Sequence, residues 1–150
     1  MFRKISAIVF VCSLVLLAMP EQASTDRGEV GATGCRVCHP DQYRAWSEGP
    51  HSKAYSILDS KQRKSSKCLR CHTMDKQPHL QAVQCESCHG IGKYYAKDYI
   101  MKDAKLAEAV GLKPGKLDDC ARCHNDEAPG MKAFDSKQSW KLLPHSGTAK

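Results

Sequence analysis

Four times in this sequence a cysteine is followed by a second three residues later and then at once by a histidine. The units are Cys35-Arg36-Val37-Cys38-His39, Cys68-Leu69-Arg70-Cys71-His72, Cys85-Glu86-Ser87-Cys88-His89 and Cys120-Ala121-Arg122-Cys123-His124. Two thiols at i and i+3 of a helical turn lie on one side of it. They can form thioether bonds to the two vinyl groups on one porphyrin edge, while the adjacent histidine reaches the iron. This is the attachment pattern of c-type haem, and it implies four covalently bound haem c groups. The cysteines anchor the cofactors, and His39, His72, His89 and His124 are the proximal iron ligands.

Two plainer readings compete. Eight thiols could build two four-cysteine zinc sites or, in an exported chain, four disulfides. Neither explains a histidine directly after every second cysteine. With 7 histidines in 150 residues, four such coincidences have a chance on the order of one in 10⁵ to 10⁶.

A haem with only its motif histidine is open to a small ligand, whereas one with two strong axial ligands is suited to electron transfer. The histidines outside the motifs are His51, His79 and His145, and all three are expected as distal ligands. The fourth haem has Met74, Met101, Met131, a lysine or nothing. Met101 is the best of these, because it follows Tyr94, Tyr95 and Tyr99 in an interval that otherwise lacks a ligand.

The elements that must position these groups are brief. Pro40 can open a helix through Trp46, stopped by Gly49-Pro50. A second candidate runs from about Ser52 to Lys64. A third runs from Asp103 as N-cap to Val110, with Gly111 and Pro114 beyond. No alternating strand pattern is evident. Aromatic residues are 7% and mean hydropathy is −0.51, which leaves a thin side-chain core. The expected fold is mostly α with extensive irregular chain, a compact multihaem cytochrome whose haems form the core. The first cysteines of the second and third motifs are only 17 residues apart, which predicts that these two haems are neighbours.

Residues 1–23 read as a signal peptide and 24–150 as the tetrahaem domain. Arg3 and Lys4 precede a nearly all-aliphatic run from Ile5 to Met19, closed by Pro20 and by the small residues Ala23 and Ser24. Glu21 is unfavourable at −3 for cleavage after Ala23, so the cut site is set only approximately. The run is short for a spanning helix, which needs about 20 residues. An uncleaved anchor is the competing reading, and no stable membrane insertion is expected after cleavage. Cys12 lies inside the run and would be lost with it. The expected location is the periplasm.

The formal charge of +7 would ordinarily suggest nucleic acid. Four haems bring eight propionates, about −8 if all ionise, partly offset by ferric iron. The basicity then balances the protein's own cofactors, and no nucleic acid is expected. The Lys61 to Lys67 run reads as a solvated face, or as a patch for an acidic redox partner.

Trp46 lies seven residues after His39, and His51 twelve after it, within His51-Ser52-Lys53-Ala54. The third unit stands in Val83-Gln84-Cys85-Glu86-Ser87-Cys88-His89-Gly90, and the last is followed by Asn125 and, further on, Pro144-His145. This arrangement, over residues 35 to 145, is similar to that of the cytochrome c-554 family of tetrahaem proteins. The resemblance implies a mostly helical fold with haems in closely stacked pairs. It also implies that His51 reaches a haem other than that of its own motif, and that Trp46 packs. Where the family places a distal histidine after the third motif, this chain has Ile100 and Met101.

The expected function is periplasmic electron transfer between respiratory partners, in a setting such as anaerobic respiration. The donor would be a quinol-side module or a dehydrogenase, and the acceptor a terminal reductase. Nothing resembles a general acid, base or nucleophile in a pocket, so an electron carrier is favoured over an enzyme. Two alternatives stand: reduction of a small nitrogen-oxide ligand at a five-coordinate haem, and subunits that stack haems into a filament. Oligomeric state is open.

Overall fold

The computed structural model describes residues 27–128 and 133–143. The expected signal segment, Cys12, Met131 and His145 lie outside them.

The chain forms seven short helices among the described residues: α1 (Gly31–Cys35), α2 (Pro40–Glu48), α3 (Ser66–His72), α4 (Glu86–His89), α5 (Asp98–Met101), α6 (Ala104–Ala109) and α7 (Ser136–Leu142). Tight 3₁₀ turns stand at His51–Lys53, Gln62–Lys64, Pro78–Leu80 and Leu117–Arg122. No strand occurs among the described residues; Thr73 makes isolated bridges to Gln81 and Ala82. The fold is mostly helical with much irregular chain, as expected.

The ends of these helices follow local chemistry. Pro40 starts α2 and Gly49 follows its end. Asp103 caps α6 by accepting the Leu106 N–H at 3.0 Å, and Gly111 follows at φ +117°. Asp135 caps α7 in the same way, through Gln138 N–H at 2.9 Å. The expected helix over Ser52 to Lys64 is instead two 3₁₀ turns. Its polar side chains compete for the backbone: Ser52 Oγ donates to the Gly49 carbonyl (2.8 Å) and Ser56 Oγ to the Lys53 carbonyl (2.8 Å). Asp59 Oδ1 accepts from the N–H groups of Lys61 and Gln62, which starts a new turn and interrupts the helix.

The protein core is small. Among the described residues the buried hydrophobics are Ala32, Ala54, Leu58, Leu80, Ala82, Tyr95, Ile100 and Ala107, and only Leu80 of these is both large and fully buried. Tyr95, Ile100 and Ala107 form a cluster flanked by Met101, Val110 and Leu112. Large apolar groups such as Val37, Ile57, Tyr99 and Leu142 stay exposed. An interior this thin needs another apolar body to organise it.

The segment before the third motif ties the rest together. Trp46 Nε1 donates to the Val83 carbonyl at 2.8 Å, and Val83 N–H donates to the His51 carbonyl at 3.2 Å. Gln84 is buried and takes the Ala32 N–H at 2.8 Å. Met74 N–H donates to the Leu80 carbonyl at 3.3 Å, closing the loop over which Leu80 is buried. Replacing Leu80 by Ala should therefore cost about 2–5 kcal/mol. Denaturant unfolding of the purified protein measures this, and a loss well under 1 kcal/mol would contradict the packing described.

Candidate haem centres

Three of the four motifs share one backbone device. The carbonyl of the first cysteine accepts two N–H groups, from the second cysteine and from the histidine. The distances are 3.2 and 2.9 Å from Cys38 and His39 to Cys35, 3.1 and 3.0 Å from Cys88 and His89 to Cys85, and 3.1 and 2.8 Å from Cys123 and His124 to Cys120. In the second motif all five residues, Cys68 to His72, lie within α3. The turn that two vinyl groups and one iron require is thus present at each site.

Two of the histidine side chains are oriented by backbone carbonyls. His72 Nδ1 lies 2.6 Å from the Ala54 oxygen and His89 Nδ1 lies 2.9 Å from the Lys113 oxygen. A carbonyl only accepts, so Nδ1 carries the proton in both rings and Nε2 is left as the metal-binding nitrogen. The His89 carbonyl takes the Lys113 N–H at 2.9 Å, so Lys113 holds this residue at two points. Gly90 allows that approach: its φ is +79°, and a Cβ there would stand 2.7 Å from the Gly111 carbonyl oxygen.

His124 lies on another kind of surface. Its ring stacks on Phe134 with centroids 3.9 Å apart, and its Nδ1 is buried without a hydrogen-bond partner among the described residues. Its ring centre is 6.2 Å from that of His51. A metal–imidazole bond of about 2.0 Å, plus about 1.1 Å from nitrogen to ring centre, puts two opposed imidazoles about 6 Å apart on one metal. The separation therefore suits an iron held between His51 and His124. Burial, and then His124, hold His51 below its ordinary pKa, and burial does the same to His124. Both favour the neutral ring that a metal binds.

The other sequence-derived ligands are placed differently. His79 is exposed on the turn Pro78–Leu80, its carbonyl 3.1 Å from where a Cβ on Gly31 would lie. Met101 is half-buried against the Tyr95, Ile100 and Ala107 cluster. Its neighbour Lys102 is raised chiefly by Asp98, with which it pairs at 2.6 Å. His39 and Cys38 are exposed. Tyr94 and Tyr99 are exposed as well, while Tyr95 is buried and donates its hydroxyl to the Gly90 carbonyl at 2.7 Å.

The motifs meet in pairs that sequence distance does not suggest. The side chains of Cys35 and Cys85 lie near enough to shift each other, Cys35 upward and Cys85 downward. Cys123 is pushed up to about 11 by burial and then by its hydrogen bond with Cys71. Thus the first motif meets the third and the second meets the fourth. The third and fourth are joined too: Arg122 donates to the Ser87 carbonyl, and Cys88, raised chiefly by burial, also feels Cys120. The 17-residue spacing singled out the second and third motifs, and the fold-back of the link between them, with Thr73 bridging to Gln81 and Ala82, brings their flanks together as well.

Sequence reasoning missed the partners that hold these groups: Phe134, the Lys113 backbone, Gln84 and above all Glu86. Glu86 was visible only as a variable position inside a motif. Zinc is a poor match to the donors, since no three Cys, His, Asp or Glu side chains are grouped as a metal cage among the described residues. Haem fits them: each turn offers two thiols and one histidine, with two rings already set by carbonyls and a small protein core around them.

The four motif turns are those of a c-type cytochrome, a class that carries covalently bound haem and transfers electrons, and the relatives of this chain are of that class. Residues 34–90 match the family described as cytochrome c554 and c-prime. The chain is 26% identical over 161 aligned positions to cytochrome c-554 of Nitrosomonas europaea, covering 78% of this chain and 68% of that protein. A solved structure of the reduced state of cytochrome c554 from Nitrosomonas europaea has a similar fold, with a TM-score of 0.53 at 22% identity over 75% of this chain and 76% of that one. Over these stretches the chain is similar to the cytochrome c-554 family. No helix among the described residues is long and apolar enough to cross a membrane.

Gly90 offers a direct test of how the third site is held. Gly90→Ala combines a left-handed backbone with a clash against a carbonyl, and should cost about 1–3 kcal/mol in unfolding experiments. An unchanged midpoint would show that the approach of Gly111 is not required.

Proposed function

We propose that this protein is a periplasmic tetrahaem electron carrier with no substrate of its own. It takes electrons from a quinol-side module or a dehydrogenase and passes them to a terminal reductase. The single observation that carries the reading is the meeting of all four motifs in one small body, the first with the third, the second with the fourth and the third with the fourth. Haems anchored on motifs that lie this close together are close enough to pass electrons among themselves, and a chain with so little core has room for little else. The cysteines at 35, 38, 68, 71, 85, 88, 120 and 123 anchor the haems, and the four motif histidines bind iron. His51 is the distal ligand of the fourth motif's haem, a role its 6.2 Å separation from His124 supports. His79, His145 and Met101 are the further distal candidates.

Export is supported by the basic start and aliphatic run of residues 1–23 and by the chemistry of haem attachment. Intact mass of the protein purified from a periplasmic fraction should equal the chain without its leader plus four haems. A mass with two or three haems, or protein retained in the membrane fraction, would refute the corresponding part.

The axial assignment has its own test. His51→Ala should convert one low-spin ferric haem to high-spin in the electron paramagnetic resonance spectrum, with the haem count unchanged. An unaltered low-spin count would remove His51 from the ligand set.

Exposed His79 and the protein-packed Met101 favour a second reading, in which one iron keeps an open position for a small nitrogen-oxide ligand. A stoichiometric high-spin ferric signal in the wild-type protein supports it, and four low-spin haems exclude it.

A further inference from the structure

Glu86 is the second residue of the third motif and is only 4% exposed. A buried carboxylate is costly unless it is paired or hydrogen-bonded. No ion pair involves it among the described residues; its partners are backbone N–H groups. Oε1 accepts from Val30 (3.0 Å) and Gly92 (2.6 Å), and Oε2 accepts from Gly31 (2.8 Å). Three donors converging on one side chain suit an ionised carboxylate, which can only accept.

The donors come from both sides of one motif pair. Val30 and Gly31 lead into α1, which ends at Cys35, and Gly92 follows the third motif. The Gly31 peptide stands between the carboxylate and the first motif, since its N–H binds Glu86 and its carbonyl is 3.6 Å from Cys35 Sγ. The cradle is closely fitted: a Cβ on Gly92 would lie 3.0 Å from Glu86 Oε1 and 2.8 Å from Val30 Cγ2. The charge is felt locally. Tyr95 is pushed up by burial and then by Glu86, and Glu86 adds to the upward push on Cys35 after the Cys85 hydrogen bond and burial.

We propose that the Glu86 carboxylate is a positioning residue that ties the first and third motifs together and lowers the reduction potentials of the two haems they carry. A fixed negative charge in a poorly screened interior favours the ferric over the ferrous state, because the ferric haem carries one more positive charge. The second and fourth haems, anchored on the Cys71 and Cys123 pair, are outside this clamp. The proposal rests on the tetrahaem reading given above.

The test is a potentiometric titration of the holoprotein followed by haem absorbance. In Glu86→Gln, two of the four transitions should move to higher potential while the other two stay in place. Glu86→Asp keeps the charge on a shorter arm; it should lower thermal stability while leaving those two potentials near the wild-type values. A purely structural role would move both variants alike, so equal behaviour of Gln and Asp overturns the proposal, as does no shift or a uniform shift of all four. Haem mass on the same samples separates the two readings: fewer than four haems in the wild type refutes the tetrahaem count, not the role of Glu86. If Glu86→Gln yields no holoprotein, the redox-difference infrared spectrum of the wild type decides. An ionised-carboxylate band that tracks two transitions in D₂O supports the proposal, and a protonated carboxyl band in its place overturns it.

Discussion

A carbonyl that accepts two N–H groups at once, at the first cysteine of a motif, is the interaction on which the rest of this molecule depends. It bends five residues so that two thiols and one imidazole serve the same side. It does so with backbone atoms alone, so the turn itself does not select the intervening residues, which are Arg-Val, Glu-Ser and Ala-Arg in the three motifs that share it. Each turn is too short to be stable by itself. A chain with one large, fully buried side chain does not supply the missing free energy through packing. A thioether-anchored porphyrin does, because it brings a large apolar surface to the point where the turn needs it. Cofactor and fold are therefore one problem in this protein.

What is local could be read from the sequence, for the same reason. The motifs, the start of α2 at Pro40, the Asp103 cap of α6 and the stop at Gly111 each depend on residues within one or two turns. The helix expected over Ser52 to Lys64 failed where several weak signals competed. Ser52, Ser56 and Asp59 satisfy backbone groups with their side chains, and a count of helix-tolerant residues does not register that competition. Helix α7 has the same Asp N-cap as α6 but lies after the last motif, where no haem argument drew attention to it.

What is distant in sequence was not legible. Nothing in the spacing says that Cys35 meets Cys85, or that His51 comes within 6.2 Å of His124 across 73 residues. The family resemblance implies that His51 reaches a haem other than its own motif's, and His124 is the motif histidine whose ring stands 6.2 Å from it. Phe134 and Lys113 are similar cases: one stacks on a histidine, the other holds one through its backbone, and neither residue type announces such a role.

The segment from Leu80 to Glu86 shows how the third motif is tied to the first. Leu80 is the largest fully buried side chain among the described residues, and Met74 closes the loop against it, so the link between the second and third motifs folds back on itself. Ala82 is held at φ +87°, a conformation that costs a non-glycine residue free energy and persists only when its surroundings over-determine it. Those surroundings are on either side: the bridge from Thr73, and the contacts of Val83 with His51 and Trp46. Beyond Ala82 the chain presents Gln84 to Ala32 and Glu86 to Val30 and Gly31. The turn thus converts a short link along the chain into a long-range clasp on the first motif. The first motif is thus tied to the third because the buried Gln84 and Glu86 side chains satisfy backbone N–H groups of Val30, Gly31 and Ala32.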